Sequence, residues 1–308
     1  MSQPPVSAEE AEPGKEVEKY TEEVCQTILE LLNPETRGNA LDLLRAVDDT
    51  KCPDLGALLW FSKGVPIVLL HEIIAVFPFL DLPMVPAPTV HRVQCAIQLI
   101  LAMCCHKDSR RQVLQAQYPV YLFPLISSSP ADRELRRIFI SALSVFTAMV
   151  KTDDPVVIRF FVNSEIVATA LNVVLSPDQL GRQLALGIIK HMSMHEDGIR
   201  HICSTPERVG AMLSALSRVV EMVNREVERQ GDDMSERSVK RMSSIVSDTL
   251  QIMARVVTHL KGRVSKDIVP ERLQGLLKSS FVIQTVSLSP KNKAAVTTLS
   301  SLGAGQAS

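Results

Sequence analysis

The stretch HRVQCAIQLILAMCCHKD, residues 91–108, sets apolar side chains at Val93, Ala96, Ile97, Ile100, Leu101 and Cys104, and closes on the charged turn His106-Lys107-Asp108. That spacing is one buried face of a helix. Further along, RELRRIFISALSVFTAMVKTDD, residues 133–154, repeats it with Leu135, Ile138, Phe139, Ala142, Leu143, Phe146 and Met149 before Thr152-Asp153-Asp154. A third copy runs from about Pro177 to Met194 and ends at His195-Glu196-Asp197. The turn aspartates Asp108, Asp153 and Asp197 stand 45 and 44 residues apart. A period of about 40–47 residues belongs to HEAT and armadillo units, which bury their apolar faces by stacking on one another.

After each turn a short helix leads to a second break, at Tyr118-Pro119, Asn163-Ser164 and Thr205-Pro206. Each unit therefore reads as short, medium and long helix, the armadillo order. The fold expected is all-α, an armadillo-type helical-repeat solenoid (α-α superhelix) whose long third helices line a concave groove. Beyond Pro206 the helices lengthen, with stripes from Val209 to Val223 and from Val239 to Leu260 on either side of the polar break Arg229-Gln230-Gly231-Asp232-Asp233. The weaker segment Pro270 to Ser279 is expected to cap the stack.

Composition agrees. The chain of 308 residues is 46% hydrophobic and only 4% aromatic, which suits helix-on-helix packing. With 33 basic and 34 acidic side chains, no global field draws it onto nucleic acid or an anionic membrane. Its longest apolar stretch, Val65 to Leu80, is interrupted by His71 and Glu72 and falls short of the run of about 20 that spans a bilayer. The start, MSQPPVSAEEAEPGKE, lacks the basic and apolar regions of a signal peptide. Six cysteines scattered through helical patterns are expected to be free, mostly buried thiols. A location in the cytosol or nucleus is expected. Residues 1–14 and 285–308, poor in side chains that can be buried, are expected to be disordered tails around a repeat domain at 15–284.

Walker loops, dinucleotide glycine fingerprints, HExxH and paired CxxC are absent, so a binding surface is expected rather than an enzyme, with no cofactor. The most chemical cluster is His191, His195, His201 and Cys203. Its spacing matches no established zinc pattern, and it is read as helix-end histidines and a buried thiol. Basic residues gather at Arg110 and Arg111, at Arg133, Arg136 and Arg137, and at Arg182 with Lys190. The last two groups either face the groove and attract phosphate or an acidic peptide, or pair with neighbouring carboxylates on a solvated face. Trp60 is expected in the core, and Phe61 is read equally as core or as groove surface.

From Asn33 to about Ser217, segments such as NPETRGNAL, PDLGALLWFSKG, HRVQCAIQLILAMCCHKDSRRQVLQAQYPVYLFPLI and MVKTDDPVVIRFFVNSEIVATAL resemble the "required for cell differentiation" family, the armadillo-repeat subunit of the CCR-NOT deadenylase complex. The resemblance implies a non-catalytic adaptor that docks on the NOT scaffold subunit and recruits regulators for messenger RNA deadenylation, decay and translational repression. It implies that Phe61, Ile67, Ile74, Arg137 and Ser144 form a groove for short helical peptides. Here Phe61 replaces a histidine, Arg137 a tyrosine and Ser144 a glycine, making the groove more basic and more crowded. It also implies remnants of shallow tryptophan pockets at Leu180, Gln183, Pro206 and Arg208. Leu180 and Arg208 keep the pattern, whereas Pro206 replaces an aromatic and Gln183 a threonine, so strong tryptophan capture is not expected. Homodimer formation and weak nucleic-acid binding in the concave groove are the further associations the resemblance admits.

Overall fold

The computed structural model describes residues 13–48, 50–82, 85–127, 130, 132–230, 234–260, 282, 283, 285 and 289–304. Among these residues there is no strand, and no single helix is both long and apolar enough to cross a membrane. The chain divides into two compact units, Met1–Tyr121 and Leu122–Ser308.

The first unit holds α1 (Pro13–Glu30), α2 (Arg37–Arg45), α3 (Leu55–Phe61), α4 (Val65–Ile74), α5 (Ala87–Cys105) and α6 (Lys107–Gln115). The long α5 is its spine: α2, α3, α4 and α6 all pack on it, around fully buried Leu41, Leu59, Leu69, Ile73 and Ile97. Gly56 lies where α3 crosses the end of α5, since a Cβ there would sit 2.3 Å from the Ala102 carbonyl oxygen. Trp60 is half-buried and meets Tyr118 edge to face at 5.2 Å, in partial agreement with the core placement expected of it.

The second unit comprises α7 (Phe123–Ile126), α8 (Arg133–Val150), α9 (Pro155–Val162), α10 (Ile166–Val173), α11 (Gln179–Met194), α12 (Glu196–Ile202), α13 (Pro206–Gln230), α14 (Glu236–Leu260) and α15 (Pro290–Ala304). Like packs on like. First helices pair as α9 with α12, second helices as α7 with α10, and the long third helices run α8, α11, α14 side by side. This is the all-α, armadillo-type helical repeat that the periodic stripes predict. In the last set the middle helix, α13, has grown to the 25 residues of its neighbour α14.

Two devices recur at the repeat joints. Turn residues His106 and Asp154 cap α6 and α9 by accepting from the Asp108 and Val156 amides, at 3.2 and 2.9 Å. Arginines then satisfy the carbonyls left bare at helix ends. Arg37 Nε donates to Leu31 O at 2.8 Å, Arg182 to Val174 O at 3.1 Å and Ser176 O at 2.7 Å, and Arg255 to Ser193 O at 2.8 Å.

Two expectations need amending. The evenly spaced aspartates are not equivalent: Asp108 and Asp197 lie inside the first turns of α6 and α12, whereas Asp153 precedes the cap of α9 with φ +52°. Counted from cap to cap, His106 to Asp154 to His195, the units are 48 and then 41 residues long. The second concerns the expected disordered tail at 285–308, which contains α15 packed on α14 with Asn292, Ala295 and Leu299 buried on one face. Asn292 Oδ1 accepts from Ser247 at 2.8 Å and Gln251 at 3.0 Å. Helix α1 starts at Pro13. Residues 1–12 and the expected cap at 270–279 lie outside the described residues.

Candidate protein-docking surface

In the first unit α3 ends at Phe61, where Ser62 turns extended and its hydroxyl donates to Leu58 O at 2.6 Å. Gly64, at φ +87°, then starts α4 in a left-handed conformation that a side chain would strain. From there α4 buries Val65, Leu69, Glu72 and Ile73 and turns Ile67, His71 and Ile74 outward. Phe61, Ile67 and Ile74 are 60%, 58% and 36% exposed. Leu32, also exposed, reaches to 3.3 Å from where a Cβ on Gly64 would be, so the turn between α3 and α4 is bordered by apolar side chains. Phe61, Leu32 and Ile67 are thus exposed apolar residues near this turn, while Ile74 ends α4.

That surface stands on a rigid base. Glu72, buried on the opposite side of α4, receives Arg92 of α5 in a two-pronged pair at 2.9 and 2.6 Å, and Arg37 of α2 lies at 3.5 Å. One carboxylate between two guanidiniums fixes the rotation of α4, and with it the direction in which Ile67 and Ile74 point.

Arg137 and Ser144 belong to the second unit, on the half-exposed face of α8. Arg137 pairs with Glu134 at 2.8 Å, and the Ser144 hydroxyl donates to Ile140 O of its own helix at 2.8 Å. Of the two readings of the basic clusters, the carboxylate-paired one fits best. Arg136 pairs with Asp178, Lys190 with Asp248 at 2.6 Å, and Arg182 is buried as a helix cap. Arg136 thereby ties α8 to α11, and Lys190 ties α11 to α14.

The four tryptophan-pocket positions fall into two places. Leu180, on the first turn of α11, opens onto a cavity of about 540 Å³ with Pro177, Asp178, Arg136 and Arg241, and half-buried Gln183 lies one turn further on. Pro206 and Arg208 lie at the start of α13 and do not line that cavity. The Arg208 guanidinium rests beside the His201 ring and contacts the Ser204 hydroxyl at 3.2 Å. Burial, with the Arg208 charge added, lowers the His201 pKa.

His191, His195, His201 and Cys203 do not converge. His195 meets Asp153 at 3.3 Å and His191 lies 3.8 Å from the same carboxylate, while Cys203 is a buried-side thiol whose pKa burial pushes up to about 11. Among the described residues, the metal-ligating side chains that do gather are Asp42, His91 and Cys95, on α2 and α5. His91 and Cys95 were legible as a helical i, i+4 pair, but nothing in the sequence placed Asp42 beside them.

The description "Cell differentiation family, Rcd1-like" matches this chain over residues 27–288. The chain is similar to cell differentiation protein rcd1 of Schizosaccharomyces pombe, 31% identical over 198 residues that cover 64% of this chain and 69% of that one. It is also similar to protein CAF40 of Saccharomyces cerevisiae, 33% identical over 168 residues, covering 54% of this chain and 45% of that one. Among solved structures, an engineered protein of the Northeast Structural Genomics Consortium superposes with a TM-score of 0.52 at 14% identity, covering 90% of this chain and 98% of that one. A designed armadillo repeat protein superposes at 0.50 and 15% identity, covering 90% and 99%. At such identities these two speak for the fold alone.

Proposed function

This chain belongs to the Rcd1-like cell differentiation family, and from that premise we propose that it is an adaptor subunit of the CCR-NOT deadenylase complex. The family is non-catalytic. In this reading the chain docks on the NOT scaffold subunit and recruits regulators through short helical motifs, bringing messenger RNAs to deadenylation, decay and translational repression in the cytoplasm, in P-bodies and in the nucleus. The observation that carries it is the apolar border of the α3–α4 turn, where Phe61 and Ile67 are more than half exposed over a base locked by Glu72. An amphipathic helix binds such a surface by setting apolar anchors at i, i+3 or i+4 into it.

The pairing of Arg136, Arg137 and Lys190 with carboxylates supports a peptide over nucleic acid as the ligand. A salt titration tests this. Capture of regulators by the full chain should change little between low and high salt and be lost in a Phe61→Asp/Ile67→Asp variant, whereas a nucleic-acid ligand would weaken steeply with salt. Steep salt dependence with no effect of the double substitution would overturn the reading. At Leu180, Gln183, Pro206 and Arg208, weak tryptophan binding at most is proposed, since the aromatic wall is replaced by Pro206.

A further inference from the structure

Three donors of different chemistry meet where α2 packs against α5. His91 Nε2 lies 2.5 Å from Asp42 Oδ1, Cys95 Sγ lies 3.4 Å from the same oxygen, and the sulfur and the ring nitrogen are 3.9 Å apart. His91 and Cys95 are four residues apart on α5 and so share its face. Asp42 comes from α2, held against α5 by buried Ala40, Leu41 and Leu44. We propose that Asp42, His91 and Cys95 bind a zinc-class divalent cation, with water as the fourth ligand, that joins α2 to α5.

The donor distances can be compared with what such an ion demands. Bond lengths of about 2.3 Å to sulfur and about 2.0–2.2 Å to nitrogen and oxygen in a tetrahedron put sulfur roughly 3.5 Å from the other two donors, and nitrogen and oxygen roughly 3.4 Å apart. The two sulfur distances bracket that value. The histidine and aspartate must separate by somewhat under an ångström, and both have room to do so, with side chains 47% and 51% exposed. Cys95, by contrast, is fully buried and fixed.

The donor set selects the metal. One sulfur, one imidazole and one carboxylate suit zinc or cobalt, and disfavour magnesium and calcium, which prefer oxygen alone. Binding replaces the S–H bond of Cys95 by an S–metal bond and releases one proton to solvent, so thiolate and carboxylate together neutralise the dication. Burial raises the Cys95 pKa, and Arg45, beside Cys95 and Asp42, acts against that rise while opposing the approaching cation. The exposed fourth position leaves the ion reachable from solvent.

Cobalt is the probe. Tag-free full-length protein, stripped with chelator, should take up one equivalent of Co²⁺ with the visible bands of a tetrahedral ion and a sulfur charge-transfer band, and one equivalent of Zn²⁺ should bleach them. Cys95→Ser should abolish the charge-transfer band with the circular dichroism unchanged. His91→Gln, at a half-exposed side chain, should weaken binding more than about ten-fold, since even outer-shell losses cost that much. Cys203→Ser should change nothing. Failure to bind one equivalent, a charge-transfer band that survives in Cys95→Ser, or wild-type affinity in His91→Gln would each overturn the proposal. If Cys95→Ser does not fold, His91→Gln decides alone.

Discussion

Replacing Asp178 separates two contributions that one side chain makes to the α8–α11 joint. Its carboxylate caps α11, accepting the Gly181 amide at 2.9 Å, and pairs with Arg136 of α8. Its side chain is 3% exposed, whereas that of Arg136 is 50% exposed. Loss of an N-cap costs about 1 kcal/mol. A charge-assisted bond with one half-solvated partner contributes about 1–2 kcal/mol, the lower part of its range. Asp178→Ala should therefore destabilise the protein by about 2–3 kcal/mol, lowering the melting temperature by about 4–12 °C at roughly 2–4 °C per kcal/mol. Asn caps a helix as well as Asp does, so Asp178→Asn should cost only the charged part, about 1–2 kcal/mol. Burial acts to raise the Asp178 pKa, but the Arg136 hydrogen bond, the Gly181 amide and the Arg136 charge outweigh it and leave the carboxyl below its ordinary value. A carboxyl lowered in the folded state stabilises fully above the unfolded pKa of about 3.9 and loses that contribution as the pH falls through its own lower value. Urea unfolding of wild type and Asp178→Asn should thus show a gap at pH 7 that closes below about pH 4. Equal stabilities at pH 7, or a gap indifferent to acid, would refute the assignment.

Other substitutions probe the remaining joints. Arg182→Met leaves the Val174 and Ser176 carbonyls without their donor and should cost about 2–6 kcal/mol in urea unfolding, at about 1–3 kcal/mol for each buried unpaired group. Gly198→Ala puts a Cβ 2.0 Å from Met192 O and should destabilise by about 1–3 kcal/mol or more, whereas Gly38→Ala, with nothing within 4 Å, should stabilise by about 0.5 kcal/mol in the same assay. Phe61→Asp with Ile67→Asp, at exposed positions, should leave the melting temperature nearly unchanged, within about 0.5 kcal/mol for each site, while abolishing regulator capture in pull-downs.

The long helices were legible because stacking imposes an unbroken apolar face: Leu135, Ile138, Phe139, Ala142 and Phe146 are read from spacing and found buried. Turn positions were legible from charge, but their register was not. Asp153 and Asp154 look alike in the sequence, and only the hydrogen bond to the Val156 amide tells which one caps α9. Helix α15 escaped notice because Ala, Ser and Thr leave little apolar contrast; Asn292, Ala295 and Leu299 are enough to seat it on α14. Exposed Phe61 could not be separated from buried Leu59 by composition, since both end the same apolar run. The pairing of Arg136 with Asp178 and the meeting of Asp42 with Cys95 span 42 and 53 residues, distances over which local pattern carries no information.

Tagged protein purified from its own cells, with the co-eluting chains identified by mass spectrometry, tests the adaptor role most directly. The account predicts that the NOT scaffold subunit and a deadenylase elute with the full chain at moderate salt, and that both persist after nuclease treatment. Elution alone, or with partners that nuclease removes, would contradict it.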